Sequence, residues 1–521
     1  MLPKRLREQP LPAHLQSELV ALTTNHGGEV ISVASPLIDE PLGTVPAGTT
    51  DDVDEAFRRA RVAQRAWAER SLADRTAVFD AFHSLVYRHR DVLADIVQLE
   101  TGKDRTAAFD EVLDVLNNAR YYARNAAKFL SEKRRPGALP LLTRAREQRI
   151  PDGVVGQISP WNYPLSLAIS DAIPALIAGN AVVAKPDSKT PFSCLVVKQL
   201  LVEAGLPADV FQVVTGSGQK VGGAIAERCD YLMFTGSTAT GKKLGRTVGE
   251  RLIGYSAELG GKNAMIVAPD ADVQKHARTM AIACFSNAGQ LCVSIERIYV
   301  HTDIYDDFLH AFTHSTESLT LGKGLNWDYD MGSLIDDTQL KRVQTYVDDA
   351  VAKGARVVTG ATPRPDVGPL HFAPTVLADL PADASLCEEE VFGPVVFVQR
   401  VASLDEAIEQ ANALPYGLNA SVFAAPHTAW EIARRVEAGS VTINDGYAAT
   451  WGSMATPLGG VKESGMGRRH GRDGMTKYTE VKNIAQQRIV SMRGPHAMPK
   501  RLYGPLMTSA LALGKRLRLL P

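Results

Sequence analysis

From residue 151 onward the chain alternates short apolar runs with helical patterns, and that alternation leaves few folds open. ValValGlyGlnIleSer (154–159), AlaValValAlaLys (181–185), PheGlnValVal (211–214) and TyrLeuMetPhe (231–234) read as buried strands. Helical patterns fill the gaps at about 165–178, 191–204, 219–227 and 239–251. Strands separated by helices argue for a parallel sheet covered on both faces. A second series begins at AlaMetIleVal (264–267) and reaches ValThrIleAsn (441–444), so two α/β domains of similar size are expected.

Ahead of these series the chain is helical. Val53, Ala56, Phe57, Ala60, Ala63 and Trp67 form an apolar stripe over 51–69, with Thr50, Asp51 and Asp52 as capping candidates. Further helical blocks cover about 72–100 and 105–132, before ProGlyAla at 136–138 breaks the pattern. Residues 143–150 are strand-like and charged, as in an exposed hairpin or arm. At 521 residues the chain exceeds one typical domain and can bury a large core without covalent staples. A net charge of −1 gives no general attraction to nucleic acid. Five cysteines without CxxC or Cys/His spacing argue against a disulfide framework or a metal site and fit a reducing cytoplasm. The basic N-terminus has no apolar run behind it, and no stretch is long enough to span a bilayer.

Two segments carry the chemistry. SerAlaGluLeuGlyGlyLysAsn (256–263) and AsnAlaGlyGlnLeuCys (287–292) each set one reactive side chain, Glu258 or Cys292, among small residues that leave room for a substrate. A thiol can attack a carbonyl, and a carboxylate can activate the water that clears the covalent product. Two apparent phosphate motifs fail. Gly236 to Lys242 imitates a P-loop, but Lys243 stands where Ser or Thr is required; Gly216-Ser-Gly218 is followed by Val221 instead of the last glycine of a dinucleotide fingerprint.

With ProTrpAsnTyrPro (160–164), LysProAspSerLysThrPro (185–191), PheThrGlySer (234–237), GluValPheGlyPro (390–394) and ProTyrGlyLeuAsnAla (415–420) added, the chain over about 30–490 resembles the NAD(P)-dependent aldehyde dehydrogenase superfamily. Its wording is most similar to actinobacterial NADP-dependent succinate-semialdehyde dehydrogenases. The resemblance implies a Rossmann-type cofactor domain (8–130 and 151–258), an α/β catalytic domain (259–460) and an oligomerisation arm (131–150 and 475–490), hence a homodimer or homotetramer. It also implies oxidation of an aldehyde to an acid through a thioester. Cys292 would be nucleophile, Asn162 and the Cys292 N–H the oxyanion donors, and Glu258 the base, a residue that related coenzyme A-acylating enzymes generally lack.

For the cofactor, the resemblance assigns Lys185 to the adenosine ribose, Gly236 and Ser237 to the pyrophosphate, and Trp161, Leu259 and Glu390 to the nicotinamide side. NAD-preferring relatives often carry a glutamate at 188. Ser188, with Lys185 and Lys189, therefore favours NADP, NAD remaining usable. Lys262 is assigned either a share of the local charge or a structural role.

Enzymes for succinate semialdehyde place arginines at two pocket positions that correspond to Ser170 and Ser286 here. A carboxylate-bearing substrate needs a fixed cation. The remaining expected lining, Tyr163, Leu167, Tyr447, Trp451 and Leu458, is aromatic and apolar. Whole-chain resemblance thus implies succinate semialdehyde, and these pocket residues an uncharged aliphatic or aromatic aldehyde. Ser294 replaces a second family cysteine, so no local disulfide switch is expected. The tail from 491 to 521 has no acidic residue and interleaves Leu and Met with Arg493, Lys500, Arg501, Lys515, Arg516 and Arg518. It reads as an arm docked on its own or a neighbouring subunit, or as an amphipathic segment in weak contact with a membrane surface.

Overall fold

The computed structural model describes residues 2–138, 143–488, 494 and 497–517. Parts of the expected arm (139–142 and 489–490) and of the tail (491–493, 495–496 and 518–521) lie outside the described residues.

The first strand series forms one sheet from Val154–Ile158 (β1), Ala181–Lys185 (β2), Phe211–Val213 (β3), Tyr231–Thr235 (β4) and Gly254–Glu258 (β5). Its order is β3-β2-β1-β4-β5, all parallel, with Gly465–Met466 added antiparallel at the β5 edge. Every residue of β1 and β2 is buried, as a sheet covered on both faces requires. The order reverses between β1 and β4, and at such a switch point the carboxyl ends of the strands open a crevice.

The second series builds a seven-stranded sheet from Asn263–Val267 (β6), Ile295–His301 (β7), Thr375–Ala378 (β8), Val395–Val401 (β9), Asn419–Phe423 (β10) and Ser440–Ile443 (β11). Its order is β8-β9-β7-β6-β10-β11, with Arg356–Thr359 antiparallel on β8. Four residues, 259–262, carry the chain from the end of β5 to the start of β6, so the two sheets meet there. A third sheet pairs Thr143–Pro151 with Thr479–Gln487 and with Lys133–Arg135, all antiparallel.

Several local expectations change. The block at 72–100 is two helices, Leu72–Arg88 and Arg90–Thr101, meeting at His89. The pattern at 165–178 also divides, into Pro164–Ile169 and Ala172–Ile177. The helix Thr50–Glu69 is capped one residue earlier than Thr50 to Asp52 suggested. Thr49 Oγ1 accepts from the Asp52 N–H at 3.3 Å, and the Asp52 carboxylate accepts from the Thr49 N–H at 2.7 Å, a reciprocal capping box. Asp52 is fully buried and also accepts from the His26 N–H. The tail holds a helix, Lys500–Arg516, with no buried residue.

Thr49→Ala removes one half of the capping box and is expected to cost about 1 kcal/mol. A thermal melt should show a lower midpoint than wild type with the far-UV spectrum unchanged.

Candidate active site

The crevice at the β1/β4 switch point collects most of the residues singled out in the sequence. β1 runs out into Trp161 and Asn162, β2 ends on Lys185, β4 leads into Gly236 and Ser237, and β5 ends on Glu258. Cys292 arrives from the other sheet, three residues ahead of β7. Its backbone is set by a tight turn in which Asn287, Ala288 and Gly289 all have left-handed φ, at 51°, 53° and 68°. Such a conformation is costly for Ala and held only by its surroundings. Gly289 is further required because a Cβ there would lie 2.1 Å from the Gly393 carbonyl oxygen. Asn263, first residue of β6, donates from Nδ2 to the carbonyls of Cys292 (2.8 Å) and Ser294 (2.7 Å).

Two cavities meet at Cys292. One, of about 220 Å3, is lined by Trp161, Asn162, Gly236, Ser237, Glu258, Leu259, Cys292 and Glu390. The other, of about 200 Å3, is lined by Asn162, Tyr163, Leu167, Cys292, Tyr447 and Trp451 among others. Asn162 and Cys292 are the two residues common to both walls. Asn162 Nδ2 donates to the Gln290 carbonyl at 3.1 Å, which uses one of its two amide hydrogens. The Asn162 carbonyl is held in turn by Lys103 Nζ at 2.6 Å, while Lys103 pairs with Glu111 at 2.7 Å. Glu111 accepts from the N–H groups of Leu165 and Ser166. Lys103 and Glu111 are fully buried, so this pair fixes the Asn162 loop.

Burial raises the Glu258 carboxyl to about 7, reinforced by Asp171 and opposed by Arg469 and Lys477. Its Oε1 has no hydrogen-bond partner. Burial likewise pushes the Cys292 thiol up to about 12, with Glu390 and Glu258 acting in the same direction and Arg469 against them. The thiol is therefore protonated at neutral pH, and Glu258 is a nearby carboxyl that titrates there. Glu390 accepts from the Gly261 N–H at 3.0 Å, and burial first, then Glu296, lifts it to about 7. A Cβ on Gly260 would come within 2.5 Å of the Glu390 carboxylate, which is why a glycine stands there. Lys262 is structural in its contacts: its ammonium pairs with Glu296 at 2.5 Å, fully buried.

The 220 Å3 cavity has polar groups suited to a dinucleotide, among them Glu258 Oε1, which is unsatisfied. Lys185 is buried at the end of β2 and stands outside the lining of that cavity. The 13-residue helix Thr238–Glu250 starts at the rim, capped by Ser237, with its N-terminal N–H groups toward the crevice loop. Ser188 and Lys189 are engaged within the protein: Ser188 Oγ donates to the Gly216 carbonyl at 2.8 Å, and Lys189 Nζ pairs with Asp336 at 2.7 Å.

Three expected pocket residues stand elsewhere. Ser170 Oγ donates to Asp114 Oδ2 at 2.5 Å, behind the cavity wall and not on it. Ser286 donates to the Ile282 carbonyl and lines a neighbouring cavity that shares Asp110, Tyr447 and Ala448 with the 200 Å3 one. Leu458 pairs with Arg469 through their backbones, away from both walls. Trp451 does line the substrate side, its Nε1 donating to Asp114 Oδ1 at 3.0 Å. Arg469 pairs with Asp171 at 2.5 Å, and Arg297 is spent on the carbonyls of Lys262, Gln410 and Ala411. The sequence reading missed Lys103, Glu111 and Asp114. The spacing of Glu111, Asp114 and Asn118 on one face of the helix Arg105–Leu130, beside Val112 and Val115, was the available signal.

A crevice at a parallel-sheet switch point, with a thiol and an amide on the wall between two cavities, defines a covalent dinucleotide-dependent oxidoreductase. Comparison is specific: residues 22–484 match the aldehyde dehydrogenase family. The chain is 51% identical over 477 residues to a Mycolicibacterium smegmatis protein provisionally named an NADP-dependent succinate-semialdehyde dehydrogenase, covering 91% of this chain and 92% of that one. It is 33% identical to the mitochondrial succinate-semialdehyde dehydrogenase of Arabidopsis thaliana, covering 88% and 87%. A crystal structure of an E. coli NADP-dependent enzyme superposes with a TM-score of 0.86 at 33% identity, over 92% of this chain and all of that one. This chain belongs to the aldehyde dehydrogenase family.

The Glu258 carboxylate is the form able to accept a proton, so turnover is expected to rise as pH passes upward through about 7 and level off above it. Glu258→Gln should remove that limb and lower kcat by roughly 10²–10⁴. A pH–rate series on both proteins checks it.

Proposed function

We propose that the protein oxidises succinate semialdehyde to succinate with NADP, through a thioester on Cys292. The observation that carries the reaction is the shared wall: Cys292 and Asn162 face both the cavity suited to a dinucleotide and the smaller one beside it. The thiol proton must leave before addition, and Glu258, which titrates near neutrality in the same cavity, is the base we assign. Sulfur then bonds to the aldehyde carbon, and the carbonyl electron pair moves onto oxygen. The second amide hydrogen of Asn162 and the Cys292 N–H stabilise that oxyanion. NADP, held by Lys185, Ser237, Trp161, Leu259 and Glu390, supplies the hydride acceptor when bound. Loss of the aldehyde hydrogen as hydride to that acceptor would leave the thioester. Glu258, once it has given the thiol proton up to solvent, takes a proton from water, whose oxygen adds to the thioester carbon. Collapse of that adduct breaks the bond between the acyl carbon and Cys292 Sγ, the proton on Glu258 passes to Sγ, and the acid is released.

The names of the relatives support the substrate and NADP, as does the absence of a carboxylate at Ser188. One observation favours a second reading, an uncharged aldehyde. The smaller cavity is lined by Asp110, Glu111 and Asp114 and by no lysine or arginine, a setting that repels a substrate carboxylate. The test is kcat/KM with NADP for succinate semialdehyde, hexanal and benzaldehyde. We expect the semialdehyde to lead and coenzyme A to leave the rate unchanged. A preference of more than about tenfold for the neutral aldehydes would replace the substrate, and by about 1.4 kcal/mol of transition-state binding.

We also infer a homodimer or homotetramer in the cytoplasm. Among the described residues the strand Thr479–Gln487 pairs only with Thr143–Pro151, at the edge of its sheet, and Val481 and Ile484 are exposed on it, as on an edge of the kind proteins cover. Val481→Lys with Ile484→Lys should lower the mass seen by light scattering after size exclusion.

A further inference from the structure

The helix Lys500–Arg516 lies outside the 22–484 family match, and nothing in the reaction calls on it. It is amphipathic in a particular way. At 100° per residue, Leu502, Leu513, Leu506 and Leu517 fall on one narrow stripe, and all four are more than half exposed. Tyr503, Met507 and Gly514 lie beside the stripe and are the half-buried positions, so the leucines form the more exposed face of the helix. Lys500 and Arg501 stand at one end and Lys515 and Arg516 at the other, with no acidic residue anywhere from 491 to 521.

The local sequence favours this helix weakly. Its first turn holds Lys500 and Arg501 and no acidic residue, where the helix dipole disfavours cations. Its N-cap is Pro499 with no side-chain cap, and Pro505 sits inside it. A 17-residue helix so poorly favoured on its own gains most from a surface that neutralises the cations and buries the leucines.

We propose that this helix docks the enzyme on an anionic lipid surface. It is about 25 Å long and charged at both ends, and no helix among the described residues is long and apolar enough to cross a membrane. It therefore lies in the interface plane, leucines toward the acyl chains and lysine and arginine stems reaching up to the phosphates. Charge decides against the bulk protein surface as the source of its binding energy only in part: the six cations of the tail, set against −1 for the whole chain, leave −7 on residues 1–490. The leucine stripe decides the rest. It offers no aromatic anchor or hydrogen-bonding group of the kind that dominates protein interfaces.

The test is flotation of the full-length protein with vesicles of phosphatidylglycerol and phosphatidylcholine, or of phosphatidylcholine alone. Binding is expected to the first only and to weaken with salt. Leu502→Gln/Leu506→Gln/Leu513→Gln and Lys515→Glu/Arg516→Glu should each weaken partitioning at least about tenfold while leaving aldehyde oxidation in solution unchanged, which also reports that the variants fold. Failure of wild type to float, or equal flotation of the variants, overturns the proposal. So does loss of oligomer mass in the leucine variant without any lipid binding by wild type, which would assign the stripe to a partner subunit.

Discussion

Four residues of chain between two sheets govern the arrangement of this molecule. Glu258 closes β5 and Asn263 opens β6, so a carboxylate belonging to one sheet is tied by covalent geometry to the start of the other. Asn263 then holds the carbonyls of Cys292 and Ser294, just ahead of the neighbouring strand β7. The cavity walls cannot drift apart without breaking those hydrogen bonds or stretching residues 259–262. Gly260 is what allows Glu390 to close in over that short link, where it accepts from the Gly261 N–H.

The second support is less visible. Asn162 hangs on a loop after β1, and loops are the least fixed part of a fold. The buried Lys103–Glu111 pair removes that freedom, since Lys103 binds the Asn162 carbonyl and Glu111 binds the two N–H groups that follow. A buried pair of this kind contributes little net stability, yet losing one partner strands a charge. Its value lies in where it holds the loop.

Much of this was legible in the sequence, because strand–helix alternation depends on short-range pattern. The strands at 154–158, 181–185 and 231–235 fall almost where their apolar runs begin and end. The reactive pair was legible because a thiol or carboxylate among glycines has few structural uses. The break at His89 was not, since Leu72–Thr101 is apolar on one face throughout. Ser170 was misplaced for a different reason: which face of a short helix meets a cavity depends on its packing partner, here Asp114 on the helix Arg105–Leu130, while Ser286 caps the helix Val273–Phe285 and turns back to the Ile282 carbonyl. Spacing along a chain does not report that.

The height of the Cys292 thiol carries a consequence beyond turnover. With burial holding the proton on sulfur, the thiol form dominates at pH 7. Peroxides and electrophiles react with thiolates, not thiols. The sulfur that opens onto both cavities is thus held mostly in its less reactive form. Cys292 is partly exposed, so the retained proton, and not a closed wall, is what limits its reactivity toward electrophiles.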